Sequence, residues 1–486
     1  MATIAPATTQ RPLLARSYVD GEWVDGGGES ADVTHPGDGR VVSQVSYADA
    51  QQVERAVAAA TRAKAAWANE HVALRVERLA KVADVLEERL DEVVMMVTAE
   101  MGKTVTEARE SVAASADYFR ILGQDALRHY GKVSHNMWDP SQNKRVITQY
   151  VPHGVVAMLT PWNFPIAIPV EGFASALATG NTVIWKPSEL TPGCSQLLTE
   201  VIVAADFPPG VVNLVQGAGP VGAALVEHED VAMVQFTGST ATGRRIAANA
   251  GIKKLLMELG GNGPMVITED ANIDAAVKAT AHACFYVAGQ CCTAGERILV
   301  QSSIHEEFVE KLAARVSEMK VGDPFDEKTD MGPLSNSGSL EKTKSHVADA
   351  QRDGARVVAG GSSTGMYHDP TVLIDVSPEM EIAREETFGP VAPIIKFDTH
   401  EEALRIANDS PYGLNTAVWT SSLKTAWIMA EGLEAGTVHV NESTNHWEMF
   451  APFGGVKQSG IGRIDGEDAM REFTTPKQIT FDLDNA

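Results

Sequence analysis

Four short apolar runs, at 155–159, 182–185, 211–215 and 232–236, constrain the fold more than any other feature of this chain. Each is separated from the next by enough residues for a crossover helix, as parallel strands require and hairpins do not. Runs apolar on every residue, without in/out alternation, fit strands covered on both faces. The expectation is a parallel α/β sheet. The second half repeats the mixture, with a helix expected over 272–287 and strands near 297–300, 372–374 and 437–440, so a second α/β unit is expected. At 486 residues the chain exceeds what one simple core organises.

Ahead of the sheet, Val53, Val57, Ala60 and Trp67 recur at helical spacing, and Leu79, Val82, Leu86 and Leu90 repeat the pattern, predicting two amphipathic helices. Beyond Asp139-Pro140, the alternation at 145–151 predicts an exposed strand suited to an oligomer interface. Residues 1–17 lack the apolar core of a secretory signal and read as a loose arm. The apolar stretch 154–170 is broken by Pro161, Pro165 and Pro169, so it reads as a buried strand and loop, with no membrane partner.

Acidic residues number 64 against 40 basic, a net charge of −24, which opposes a phosphate backbone and argues against nucleic acid. The four cysteines are too few and too unevenly placed for a disulfide framework or a zinc site, and a reducing, cytoplasmic compartment fits them. No metal is expected.

Several loops carry residues suited to chemistry. Gly289-Gln290-Cys291-Cys292 sets a thiol after a flexible glycine, and Met257-Glu258-Leu259-Gly260-Gly261-Asn262 lies upstream with a carboxylate. A thiol of pKa about 8.5 needs a base or a favourable field to act as a nucleophile at neutral pH. Asn163, held between Pro161 and Pro165, is either an oxyanion donor or a turn former. Gly217-Ala218-Gly219-Pro220-Val221-Gly222 matches a dinucleotide fingerprint, yet it lacks a clearly placed acidic partner and reads as a strand-to-helix turn lining a nucleotide. Phe236-Thr237-Gly238-Ser239 precedes a helix and serves either to hold a pyrophosphate or simply to cap it. Trp185-Lys186-Pro187-Ser188-Glu189 ends a strand with a cation and a carboxylate, an arrangement equally at home at a solvated strand end. Glu385-Glu386-Thr387-Phe388-Gly389-Pro390 and Pro452-Phe453-Gly454-Gly455 are each compatible with ordinary loops.

Taken in order, these motifs resemble the aldehyde dehydrogenase superfamily over essentially the whole chain. That resemblance implies two α/β domains with parallel sheets and a small β-ribbon for oligomerisation. The segments would be 1–133 and 151–257 for NAD binding, 258–460 for catalysis, and 134–150 with 461–486 for assembly into a homodimer or homotetramer. It implies Cys292 as nucleophile, Asn163 as oxyanion donor and Glu258 as the base for hydrolysis of a thioester. For the cofactor it implies Trp162, Lys186, Ser188, Glu189, Gly219, Pro220, Phe236, Gly238, Ser239, Glu386 and Phe388. Glu189 would accept the ribose hydroxyls and repel a 2′-phosphate, favouring NAD over NADP.

Phe164, Glu171, Trp447 and Phe453 would line the substrate pocket. A lysine common in the family a few residues after Asn163 is replaced by Gly172, beside Glu171, which bears on a proton relay. The segments 160–172 and 442–453 hold no Lys or Arg but offer Glu171, Glu442 and Glu448, so the expected aldehyde is neutral, aromatic or cationic and not a dicarboxylic semialdehyde. The alternatives are a CoA-acylating semialdehyde dehydrogenase, against which Glu258 argues, and a non-catalytic protein retaining the fold.

Overall fold

The computed structural model describes residues 12–135, 138 and 142–485. Most of the expected arm (1–11) and Asp139-Pro140 lie outside the described residues. The rest of that arm is not loose: Leu13–Ala15 pairs in parallel with Val41–Ser46, and Ser17–Val19 joins the larger sheet. Too short for any periodicity, these three-residue strands are held by partners far along the chain.

The larger sheet has the spatial order Gly460–Ile461, Lys254–Glu258, Met233–Thr237, Val155–Leu159, Thr182–Lys186, Val212–Leu214, Ser17–Val19, Glu22–Val24. Its five central strands are parallel, with antiparallel strands at both edges. Both faces are covered. Val155 and Ala157 join a core built on Val53, Val57 and Ala60, whereas Val156 and Met158 join one built on Leu79, Leu86, Phe119 and Phe173. That two-sided burial is why the runs read as continuously apolar.

The second sheet runs Arg356–Ala359, Thr371–Ile374, Val391–Phe397, Gly295–Gln301, Gly263–Ile267, Asn415–Trp419, Thr437–Val440. All its pairings are parallel except the first. A separate three-stranded ribbon comprises Thr474–Asp482, Lys144–Pro152 and Lys132–His135. Its centre is the strand expected at 145–151.

The first amphipathic helix, Ala50–Ala68, starts at a capping box in which Asp49 and Gln52 satisfy each other's backbone. The second differs from expectation. Leu79, Val82 and Leu86 lie on Val72–Glu88, but Leu90 opens a separate helix, Leu90–Met101, whose end is set by Gly102 at φ +84°. A further helix, Val105–Ala126, carries a second capping box between Thr104 and Glu107. Likewise the stretch expected to be strand and loop turns helical at its end, where Ala167–Thr179 begins. Among the described residues, no helix is long and apolar enough to cross a membrane.

Candidate active site

In the larger sheet Val155–Leu159 is followed on one side by Thr182–Lys186 and Val212–Leu214, and on the other by Met233–Thr237 and Lys254–Glu258. The direction of winding therefore reverses between Leu159 and Thr237, and such a switch point opens a crevice at the carboxyl ends of the strands. A cavity of about 330 Å³ lies there. The loop after Leu159 gives it Pro161, Trp162 and Asn163, the loop after Met233–Thr237 gives Gly238 and Ser239, and the end of the next strand gives Glu258. From the second unit come Cys292, Glu386, Thr387 and Phe388. Sequence-distant motifs thus meet because each follows a strand, or precedes one, at the same end of the molecule.

The thiol loop is held from several sides. Val287 and Ala288 both adopt left-handed backbone, at φ +55° and +54°, ahead of Gly289 at +71°. For residues with a Cβ this conformation is costly. The Val287 N–H donates to buried Glu107 at 2.7 Å, and the Gln290 side chain donates to the Val287 carbonyl at 3.0 Å. Asn163, 3% exposed, donates through Nδ2 to the Gln290 carbonyl at 3.0 Å, so its amide faces the thiol loop and does more than form a turn.

The adjacent cysteines face different surroundings. Cys292 is half-buried and lines the cavity, whereas Cys291 is buried with its sulfur 3.0 Å from Thr293 Oγ1. Thr293 in turn donates to Asn445 Oδ1 at 2.7 Å. A hydrogen bond with Cys291, together with burial and the charges of Cys291, Glu258 and Glu386, holds the Cys292 thiol above the ordinary range. The same bond draws Cys291 down to about 7, but Cys291 does not line the cavity. Access, not acidity in the free protein, distinguishes the two.

Glu258 is 5% exposed, and neither carboxylate oxygen has a hydrogen-bond partner. Burial pushes its pKa well up; the Arg463 guanidinium and the Gly455 backbone oppose this, and Asp465 and Glu472 add to it. A Cβ at Gly454 would stand 2.7 Å from Glu258 Oε1, so glycine there makes room for the carboxylate. Glu386 accepts from the Gly261 N–H at 3.0 Å and is raised by its burial. Its neighbours are fixed by Glu296, which accepts from the Thr387 and Phe388 N–H groups at 2.7 Å each and is pushed up to about 8 by burial and by Glu386. Phe388 meets Trp162 edge-on, centroids 5.8 Å apart.

Of the cofactor set, Trp162, Gly238, Ser239, Glu386 and Phe388 line this cavity, while Lys186, Ser188, Glu189, Gly219, Pro220 and Phe236 do not. Lys186 and Ser188 are buried, and Lys186 pairs with Glu189 at 3.4 Å, three residues on as the sequence suggested. Ser239 does cap its helix, Thr240–Asn249, accepting from Thr242 at 3.3 Å, and it lines the cavity as well, so capping and ligand readings coexist. Gly219 opens the helix Gly219–Glu227 with nothing within 4 Å of a Cβ placed there, and Pro220 follows in its first turn, which makes the GxGxxG stretch a strand-to-helix turn.

None of the expected substrate set, Phe164, Glu171, Trp447 and Phe453, lines this cavity. Trp447 stacks on Phe453, with ring centroids 4.1 Å apart, and Glu171 is buried nearby at 5% exposure. Phe164 instead lies under the buried ammonium of Lys103, 3.5 Å from its ring centre. Glu442 and Glu448 are exposed. Gly172 has no room for a longer side chain in this backbone: a Cβ would run into Gln235 and lie 2.5 Å from Met158 Sδ.

Sequence reasoning missed Asn336, Ser339 and Lys342, which reach the cavity from the start of the helix Ser337–Arg352. No strand-end loop or charged motif marked them. It also missed Tyr118 and Asp465, which sit near Glu171.

A sequence model of the aldehyde dehydrogenase family matches residues 23–479. The chain is 38% identical over 475 residues to the mitochondrial succinate-semialdehyde dehydrogenase of Arabidopsis thaliana, covering 96% of this chain and 89% of that protein. It is 38% identical over 474 residues to a betaine aldehyde dehydrogenase of Cereibacter sphaeroides, covering 96% of each. The structure of betaine aldehyde dehydrogenase from Staphylococcus aureus in complex with NAD+ matches with a TM-score of 0.93 at 34% identity, covering 97% of this chain and 95% of that one. With the family match spanning nearly its whole length, this chain belongs to the aldehyde dehydrogenase family.

Proposed function

We propose that the protein oxidises a small aldehyde to a carboxylic acid with NAD, using Cys292 as nucleophile, Asn163 as oxyanion donor and Glu258 as the base for hydrolysis. The observation that carries this reading is the meeting of Cys292, Glu258 and Asn163 in one cavity at the switch point of the larger sheet.

The residues around the cavity suit a dinucleotide. Ser239 and the helix start behind it offer N–H donors for a pyrophosphate. Gly219 leaves open space at a second helix start, Glu189 with Lys186 suits ribose hydroxyls, and Glu386 with Phe388 and Trp162 suits the far end. Bound there, NAD would supply the hydride acceptor for the oxidation. NADP is the weaker reading, because Glu189 opposes a 2′-phosphate.

The chain's own work begins when Cys292 gives up its proton to solvent water and its sulfur bonds to the aldehyde carbon, the carbonyl π pair moving to oxygen. The alkoxide that develops is met by an Asn163 N–H and the Cys292 backbone N–H. Asn163 spends one donor on the Gln290 carbonyl, which orients the amide and leaves the other N–H for the substrate. After oxidation to the thioester, Glu258 takes a proton from water as the water oxygen bonds to the acyl carbon. The carbon–sulfur bond then breaks, the thiol regains its proton and the acid departs. A carboxylate raised by burial is suited to this task near neutral pH. Glu258 in the cavity favours hydrolysis over transfer to CoA, and the three reactive groups together disfavour a non-catalytic role.

For domains, we assign 1–133 and 151–257 to cofactor binding, 258–460 to catalysis, and 134–150 with 461–486 to assembly as a homodimer or homotetramer. Four unpaired cysteines support a cytoplasmic home. The deciding experiment mixes the protein with NAD and a panel of neutral, aromatic, cationic and dicarboxylic aldehydes and follows NADH absorbance. Absence of NADH with every aldehyde would sink the reading.

A further inference from the structure

Next to Glu258 lies a group of acidic and aromatic side chains, buried except for half-buried Trp447, that the reaction just described does not use. Asp465 is fully buried, and neither carboxylate oxygen has a hydrogen-bond partner. It precedes the helix Gly466–Glu472 without capping it. Glu171, from the helix Ala167–Thr179, is 5% exposed and interacts with Asp465 and Glu258. Tyr118, from Val105–Ala126, is 3% exposed, and its hydroxyl also lacks a partner while facing Glu171 and Asp465. The indole of Trp447 stands next to Tyr118 and Asp465, and its N–H holds both below where burial alone would put them.

The backbone explains how these groups converge. The three helices pack on one another. An antiparallel bridge joins Phe453 and Ile464 by two hydrogen bonds of 2.8 Å, which sets Asp465 alongside Phe453 and Gly454. Phe453 carries the stacked Trp447, and Gly454 is the residue against which Glu258 lies. Glu258 acts electrostatically on both Glu171 and the Cys292 thiol, so the group begins one side chain away from the reacting sulfur.

Burial holds Glu171 and Asp465 well above the usual carboxyl range, and a cation that enters between them favours their ionised forms. Aromatic faces add attraction for the same charge. Resting on the aldehyde-oxidising reading above, we propose that Glu171 and Asp465, with Tyr118 and Trp447, form a subsite for an alkylammonium group, so that the preferred substrate is a cationic aldehyde. The buried Lys103 is the rival anchor, since it would suit a carboxylate. Its ammonium, however, covers the Phe164 ring and is opposed by Glu107 and Cys291, behind the thiol loop and apart from the Trp447 group.

The test uses betaine aldehyde and 3,3-dimethylbutanal, which share a shape and differ in charge, with succinic semialdehyde as the anionic arm. The unmodified protein should show kcat/KM at least about tenfold higher for betaine aldehyde than for its neutral isostere. In Glu171→Gln, and separately in Asp465→Asn, that ratio should fall towards unity. A thermal melt reports whether each variant folds, and a ratio unchanged in both folded variants would overturn the subsite. Equal rates for the two isosteres in the unmodified protein would overturn the subsite and leave aldehyde oxidation standing. So would a highest kcat/KM for succinic semialdehyde, which would direct attention to Lys103. No NADH from any of the three would remove both readings together.

Discussion

Two adjacent thiols, only one facing the cavity, make a sharp case of position deciding chemistry. Cys292→Ala should abolish aldehyde oxidation while NAD binding, measured by fluorescence titration, is unchanged. Cys291→Ala should keep most of the activity, because its sulfur is engaged with Thr293 away from the cavity; reversed results would transfer the nucleophile to Cys291. Glu258→Gln should give a burst of NADH followed by a slow steady state, since an amide cannot take a proton from water. In the unmodified protein, hydrolysis should grow as pH rises through the raised pKa of Glu258, because only the ionised carboxylate is a base. A hydrolysis rate that is flat across that rise, with chemistry limiting, would contradict the assignment. Asn163→Ala should lower kcat by about a hundredfold with little effect on NAD affinity, the usual cost of one oxyanion donor. Cys292, Glu258 and Asn163 were legible in the sequence because each stands at the end of a strand or in a short loop beside one. Tyr118, Asp465 and Lys103 were not: each comes from a helix or loop whose local pattern says nothing of what lies across the core.

At the level of elements, glycine often records a neighbour and not a turn. Gly454 lies where a methyl group would sit 2.7 Å from Glu258 Oε1, 2.8 Å from the Gly462 carbonyl and 3.0 Å from Arg463 Cδ. Gly454→Ala must displace the carboxylate or part the bridge between Phe453 and Ile464. Activity is expected to fall at least about tenfold, with a stability loss of about 1–3 kcal/mol typical of overpacking. Steady-state kinetics and a denaturant melt measure the two effects, and an unchanged kcat would mean that Glu258 tolerates the shift. Central strands were readable because burial on both faces leaves uninterrupted apolar runs. The edge strand Gly460–Ile461 and the pair at Leu13–Ala15 and Ser17–Val19 were hidden, being too short for a pattern and fixed by tertiary partners. The left-handed Val287 and Ala288 were hidden for a related reason. Their conformation runs against local preference and is sustained by Glu107 and Gln290 from outside the turn.

At the scale of the whole molecule, the ribbon is the part whose shape a single chain least explains. Thr474–Asp482 pairs with Lys144–Pro152 over nine residues, from Thr474 opposite Pro152 to Asp482 opposite Lys144. Lys132–His135 completes the ribbon, yet Val133 is 72% exposed and Phe481 50% exposed. A strand that leaves apolar side chains and one edge open invites pairing with another chain. Leu423 and Trp427, on the helix Leu423–Gly432, form a second apolar site at 82% and 65% exposure. Two such surfaces are what assembly beyond a monomer would use, and burying them would relieve the exposure. Val133→Glu should therefore weaken assembly, because a charge would have to lose its water at the interface. Sedimentation velocity at micromolar concentration should give the unmodified protein as a dimer or tetramer and the variant shifted towards smaller species. Retention of the native size by Val133→Glu, with Trp427→Glu alone reducing it, would move the interface from the ribbon to that helix.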